Sequence, residues 1–211
     1  MLRSIRNNPW LRGLMSFRFL PTAPFRAVRL PAGHSVLLNP ALLPEAKCIE
    51  VVQGMARVYC PCEETEGMTI AFLQPGDQLR PELLCSEGVC VEALTPLVFS
   101  SDAIPMPAER FDPVNEWTLQ LLRIRHLGRA EERLQALLGL LVTRMGKRSG
   151  AWCVLPFKLS HERIGELIGV TRVTTTKLFT RLRADGQMVV PESEPNLCFE
   201  PSFIADAPVA A

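Results

Sequence analysis

No run of apolar residues in this 211-residue sequence is long enough to span a bilayer, so no membrane-spanning helix is expected. Charge of one sign is also missing in excess. Lys and Arg number 23 against 22 Asp and Glu, and the net charge of +1 implies neither a basic tail nor a general affinity for polyanions. Histidine is scarce and scattered, at His34, His126 and His161. A cupin-type metal oxygenase needs about three His and a Glu converging inside a barrel. Only His34 falls in the strand-rich part of the chain, so that enzyme class is set aside and no catalytic residue is assigned. The first twenty residues carry Arg3, Arg6, Arg12 and Arg18, but no continuous apolar core and no clear small-residue cleavage site. No secretion signal is expected from them, and an amphipathic helix lying on the next domain is. Seven cysteines without such a signal point to reduced thiols and a cytoplasmic location.

What is present is an apolar fraction of 47%, enough to fill one large core or two modest ones. From Phe25 to about Ile104 short strand-like runs alternate with turns. Residues 26–30, 35–38, 48–52, 56–60, 68–73 and 90–94 have strand composition. Between them stand Pro31-Ala32-Gly33, Pro44-Glu45, Gly54, Glu64-Thr65-Glu66-Gly67 and Pro75-Gly76-Asp77. This spacing predicts a small β-roll of the jelly-roll kind.

The period then changes. Val114, Trp117, Leu121 and Ile124 follow a 3-4-3 spacing, which reads either as a dimer seam or as a stripe packed on the roll. On a helix that links two domains the seam is the better reading. After Leu127-Gly128 a second helix over residues 129–145 places Leu134, Leu137, Leu138 and Leu141 inward, with Gly146 as its stop.

Residues 157–188, FKLSHERIGELIGVTRVTTTKLFTRLRADGQM, carry the functional signal. Ser160 is an N-cap for a helix whose Ile164, Leu167 and Ile168 share one face. Gly165 sits inside that helix despite its propensity cost, which a close crossing by a second helix would explain. Gly169 ends the first helix and Thr171 caps the second, a two-helix unit joined by a tight turn. In the second helix Thr175, Leu178, Phe179 and Leu182 point inward, whereas Arg172, Val173, Thr176 and Lys177 point outward in the first two turns. A helix-turn-helix enters the major groove with that end. Residues 147–188 hold eight Lys or Arg against three acidic residues, a local basic face suited to phosphates. Residues 188–190 and 197–199 can pair as a hairpin wing. A two-fold dimer of such units would demand a palindromic duplex.

A β-roll, a linking helix, a helix with Glu132-Arg133-Leu134 and Leu137-Leu138, and a winged helix together resemble the cyclic-AMP receptor protein/fumarate-nitrate reductase regulator (CRP/FNR) superfamily. The resemblance covers about residues 25–200. It is strongest in LSHERIGELIGVTRVTTTKLF and weaker in IEVVQGMARVY and FLQPGDQL. Within the superfamily the chain looks most like the cyanobacterial global nitrogen regulator branch, whose T-R-V-T-V-T-R differs here at Thr175 and Lys177. The resemblance implies an α+β fold: an N-terminal segment (1–24), a β-roll sensor-like domain (25–109), a dimerisation helix (110–128) and a winged helix-turn-helix (129–211). It implies a homodimeric transcription regulator on a GTA…TAC-like site. Arg172 would read guanine, Val173 would pack near a thymine methyl or exclude other bases, and Thr174 and Thr176 would touch backbone or base edges. Lys177 and Arg181 would supply charge, with Ser160, His161 and Thr171 at the same surface. RNA polymerase is a further candidate partner, and a module acting on polymerase instead of DNA is the rival reading.

The effector segments depart from the family. Cyclic-nucleotide binders carry a Gly-Glu-Leu turn and an Arg-Ser/Thr pair. Here Arg80-Pro81-Glu82-Leu83-Leu84 has Pro in place of Gly, and Gly88-Val89-Cys90-Val91-Glu92 has no Arg. An anionic phosphate needs positive charge or donors, so cyclic nucleotide binding is not expected and no cofactor is assigned. The arginine expected for 2-oxoglutarate is missing too. Cys60, Cys62, Cys85 and Cys90 leave two readings open, a metal or redox sensor or ordinary core thiols. The stretch 112–127 is shorter than the family's long dimer helix, and the wing tip Glu192-Ser193-Glu194 is acidic, which would hold it off DNA.

Overall fold

Short β-favouring runs between turn glycines build the first part of the chain. The computed structural model describes residues 17–19, 27–39, 48–61, 67–84, 88–101, 112–191 and 196–208. The strands are β1 (Phe17–Phe19), β2 (Val28–Leu30), β3 (Ser35–Leu38), β4 (Ile49–Gln53), β5 (Ala56–Tyr59), β6 (Thr69–Leu73), β7 (Gln78–Leu79), β8 (Val89–Ala93) and β9 (Leu97–Ser100). They form two sheets, ordered β1-β3-β8-β5-β6 and β2-β9-β4-β7. Each of the six strand-like runs becomes a strand with ends no more than two residues from those expected. The turns at Gly33, Gly54, Gly67 and Gly76 all take positive φ. Three strands escape the sequence reading: β1 lies in the N-terminal segment, β7 is only two residues long, and β9 sits directly behind Pro96. Gly54 is required where it is, because a Cβ there would run into the carbonyl of Pro96.

The amphipathic helix expected near the N-terminus is corrected in one place. Of residues 1–24 only Phe17–Phe19 is described, and it is a strand, parallel to β3 with Phe17 opposite Ser35. An aromatic-flanked trio adds to an open sheet edge and satisfies its backbone groups. The remainder of that segment lies outside the described residues.

Side chains alternate across β5. Ala56 and Val58 join Val36, Ala71, Val91 and Ala93 on one face, each at most 4% exposed. On the opposite face Arg57 stands across from Glu92 of β8 and beside Tyr59. Arg57 is fully buried. Its Nε donates to Thr69 Oγ1 at 2.8 Å, and its two terminal nitrogens donate to the Gly67 carbonyl at 2.9 Å and to Glu92 Oε2 at 2.5 Å. The Tyr59 ring covers the guanidinium at 4.3 Å. Removing such a charge from water costs several kcal/mol, roughly, and only a complete set of partners offsets that.

The helix α1 (Pro113–Arg125) begins where Asp112 Oδ1 accepts the Val114 N–H at 2.9 Å. The chain divides into two structural units between Trp117 and Thr118 of this helix, Met1–Trp117 and Thr118–Ala211. Trp117 packs on Phe72 of β6 with ring centroids 5.1 Å apart. Val114, Trp117, Leu121 and Ile124 are 5%, 2%, 7% and 0% exposed. The 3-4-3 stripe is therefore covered within a single chain, while Leu119 and Leu122 of the same helix stand open at 49% and 55%.

In the second unit, α2 (Ala130–Met145) is closed at its start by the Glu132 carboxylate, which accepts the Arg129 N–H at 3.3 Å. Leu134, Leu137, Leu138 and Leu141 are buried as the spacing predicts. After it come β10 (Lys147–Ser149), β11 (Trp152–Leu155), α3 (His161–Ile168), α4 (Arg172–Ala184), β12 (Met188–Val189), β13 (Leu197–Phe199) and α5 (Pro201–Ala205). The sheet runs β10-β11-β13-β12. The predicted wing is the β12–β13 pair, with Met188 opposite Phe199. Its tip, residues 192–195, lies outside the described residues. The β10–β11 hairpin, turning at Gly150 with φ 57°, has no counterpart in the sequence reading. Among the described residues no helix is long and apolar enough to cross a membrane.

Candidate nucleic-acid interface

Local chemistry sets both helices of the pair. Ser160 Oγ accepts the Arg163 N–H at 3.2 Å to start α3, and Gly169 ends it in the left-handed region at φ 68°, ψ 45°. Thr171 Oγ1 then accepts the Thr174 N–H at 3.2 Å to start α4. Caps of this kind contribute about 1 kcal/mol each. The close crossing inferred from Gly165 is present: a Cβ there would lie 2.7 Å from the Val170 carbonyl oxygen and 3.1 Å from Thr175 Oγ1. Thr175 is fully buried and donates its hydroxyl proton to the Thr171 carbonyl at 3.2 Å. Leu178 and Phe179 complete the inward face, and Leu182 is half-buried.

The outward face of α4 is open. Arg172, Val173, Thr176 and Lys177 are all exposed, with Val173 at 64%. An apolar side chain standing that far out has no core to serve. Thr174 is half-buried beside its cap, its Oγ1 3.1 Å from Thr171 Oγ1. Thr176 donates to the Arg172 carbonyl at 2.9 Å, and His161 Nδ1 lies 2.8 Å from Thr176 Oγ1. The His161 ring also stacks on Phe179, centroids 4.9 Å apart and 24° from parallel. Burial, then the charges of Arg183 and Arg172, hold the His161 pKa below its ordinary 6.5.

The geometry separates the predicted residues into two groups. Ser160, His161, Thr171, Arg172, Val173, Thr174, Thr176 and Lys177 gather at the N-terminal ends of the two helices. Arg181 does not join them. It is nine residues from Arg172, about half a turn around the helix at roughly 100° per residue. It approaches Asp185 at 3.9 Å and lines a groove of about 510 Å³ with Arg129, Glu132, Leu178 and Phe203. Two residues outside the predicted set border this surface or its turn. Thr180 is exposed one turn beyond Thr176 on the same face, a position the i, i+4 spacing could have given. Arg125 of α1 donates to the Glu166 carbonyl and braces the turn at Gly169. No local signal links residues 41 apart.

The cysteines of the roll behave as core thiols where they are described. Cys60 and Cys90 are buried, and Cys90 lies opposite Tyr59. Burial, chiefly, pushes the Cys90 thiol up to about 12, so it is a thiol and not a thiolate at neutral pH. Cys62 and Cys85 lie outside the described residues. Among the described residues no three His, Cys, Asp or Glu side chains converge as metal ligands.

Comparison with known proteins agrees with this geometry. Residues 28–114 match the model of the cyanobacterial CRP family N-terminal domain, and residues 132–191 match the Crp-like helix-turn-helix domain. The regulatory protein CysR of Synechococcus elongatus is 30% identical over 176 residues, covering 80% of this chain and 84% of the relative. Among solved structures, the CRP/FNR-family transcriptional regulator TTHA1359 of Thermus thermophilus shares the fold with a TM-score of 0.60. It is 19% identical, over 86% of this chain and 99% of that one. FixK2 of Bradyrhizobium japonicum gives a TM-score of 0.61 at 16% identity, over 88% and 98%. Two family models in tandem, a relative matched along most of its length and an intact helix-turn-helix lead to one conclusion: the chain belongs to the CRP/FNR family of transcription regulators, DNA-binding proteins and not enzymes.

Proposed function

We propose that the chain works as a homodimer on a palindromic promoter site of the GTA…TAC type, with the first two turns of α4 in the major groove. The observation that carries this reading is the exposed set Arg172, Val173, Thr176 and Lys177 at that end of the helix. An arginine fork suits guanine O6 and N7, and an exposed valine suits a thymine methyl. The capped start of α3, with Ser160 and His161, suits the phosphates alongside. Arg181 is left out of the contact set, because Asp185 and the far side of α4 hold it. Leu119 and Leu122 are the apolar side chains of α1 left open to a second copy. They replace Val114, Trp117, Leu121 and Ile124 in that role.

In this reading the roll takes no cyclic nucleotide. Its buried arginine, Arg57, already has Glu92, Thr69 and the Gly67 carbonyl as partners. Pro81 starts a single 3-10 turn where a family binder has Gly. The experiment is equilibrium binding of the purified protein to a GTA…TAC palindrome and to a scrambled duplex at two salt concentrations. Tight, sequence-dependent binding without added ligand supports the reading. Equal binding to both duplexes rejects the half-site, and a selection from random duplexes then gives the true one.

A further inference from the structure

The Thr176 hydroxyl has one proton, and the Arg172 carbonyl receives it at 2.9 Å. The 2.8 Å contact from His161 to Thr176 Oγ1 therefore requires the ring to donate, so Nδ1 carries a proton. In the neutral ring Nε2 is then a bare lone pair, and it makes no hydrogen bond to the described residues. The ring is clamped on two sides, by the Thr176 hydroxyl and by the Phe179 face. Its free edge consequently has a fixed direction at the first turn of α3.

We propose that His161 couples DNA binding to pH: Nδ1–H fixes the Thr176 hydroxyl on the reading face, and Nε2 takes up a proton when a backbone phosphate approaches. This rests on the groove-binding reading above and deepens it. A lone pair facing a phosphate oxygen is repelled, whereas an N–H on a cationic ring forms a charge-assisted hydrogen bond. The neutral free form follows from the surroundings. Arg172 and Arg183 on α4 repel a positive ring, and burial against Phe179 disfavours the charge. Along its own segment the charged neighbours are Lys158, Glu162 and Arg163. Phosphate reverses the balance by neutralising the arginines and supplying an acceptor. The ring's pKa is thus higher in the complex than in the free protein, and affinity must rise as pH falls between the two values.

Each half-site takes up at most one proton, so the limit is about tenfold in affinity per pH unit per half-site. The test is binding of the full chain to the palindrome from pH 8 to pH 5.5 at constant ionic strength, for wild type, His161→Asn and His126→Asn. Asparagine offers an amide N–H near the place of Nδ1 but cannot gain charge. Wild type and His126→Asn should tighten on acidification by tenfold or more across the range, and His161→Asn should give a flat profile. A flat wild-type profile, or an undiminished slope in His161→Asn, overturns the proposal. Failure of the half-site shows separately, as equal affinity for palindrome and scrambled duplex at every pH. The pH series is then run on the selected duplex, because a phosphate contact does not depend on base sequence.

Discussion

Gly165 of α3 lies so close to Thr175 of α4 that a Cβ on the glycine would come within 3.1 Å of the threonine hydroxyl and 2.7 Å of the Val170 carbonyl oxygen. The second of these is backbone and cannot swing away. Gly165→Ala should therefore destabilise the second unit by about 1–3 kcal/mol, the ordinary cost of overpacking. Urea unfolding reads the loss, and affinity for every duplex should fall with it because the two helices no longer keep their crossing. Unchanged stability would mean that the crossing is looser than this contact.

Arg172→Ala should cost about 1–3 kcal/mol on the cognate duplex and flatten discrimination at the guanine position. Competition binding against single-base variants measures both. An equal loss on all sequences would show a phosphate contact instead of base reading.

Glu92→Gln should be costly because it strands the buried Arg57 without its anion. Breaking a buried pair costs about 3–5 kcal/mol, an upper limit here because the Glu92 side chain is 28% exposed. The double change Arg57→Met with Glu92→Gln should recover much of the loss, and a thermodynamic cycle from urea melts tests this. No recovery would show that Arg57 serves Thr69, Gly67 and Tyr59 more than it serves Glu92.

Leu119→Glu with Leu122→Glu should shift sedimentation toward monomer without lowering the unfolding midpoint of the isolated chain. Trp117→Ala should do the reverse, since that side chain is 2% exposed and packs on Phe72. Dissociation caused only by the tryptophan change would restore the 3-4-3 stripe as the seam.

Free of DNA, the protein should lose a little stability on acidification at the same histidine that gains affinity. The folded pKa of His161 lies below 6.5, through burial first and then Arg183 and Arg172. The unfolded chain therefore binds the proton more readily, and stability drops as pH falls through 6.5 toward the folded value. Thermal unfolding of wild type and His161→Asn at pH 7.5 and pH 5.5 should show a smaller drop in the variant.

The helix pair was legible in the sequence because its determinants are local: Ser160, Gly169 and Thr171 act within four residues of where they stand, and Gly165 signals a crossing by lacking a side chain. The α1 stripe was legible only in part. A 3-4-3 spacing tells which residues share a face, but not whether the chain itself or a second copy covers it. Arg57 and Glu92 left no trace in the local pattern, being 35 residues apart and brought together only by the β5–β8 register. Arg181 carries a related lesson: its basic character is plain in the sequence, but its place on the other side of α4 from Arg172, 3.9 Å from Asp185, shows only once the helix is built.

Thr176 and Thr180 both send their hydroxyl protons back into the helix, to the carbonyls of Arg172 and Thr176. What they offer outward is a methyl group and an oxygen lone pair. Such a surface suits the amino groups of adenine and cytosine and the greasy edge of thymine, and it has nothing to give the acceptor atoms of guanine. Among the exposed side chains of the first two turns, Arg172 and Lys177 are the ones with donors to offer, so in the proposed complex guanine would fall to them and the other bases to the threonines.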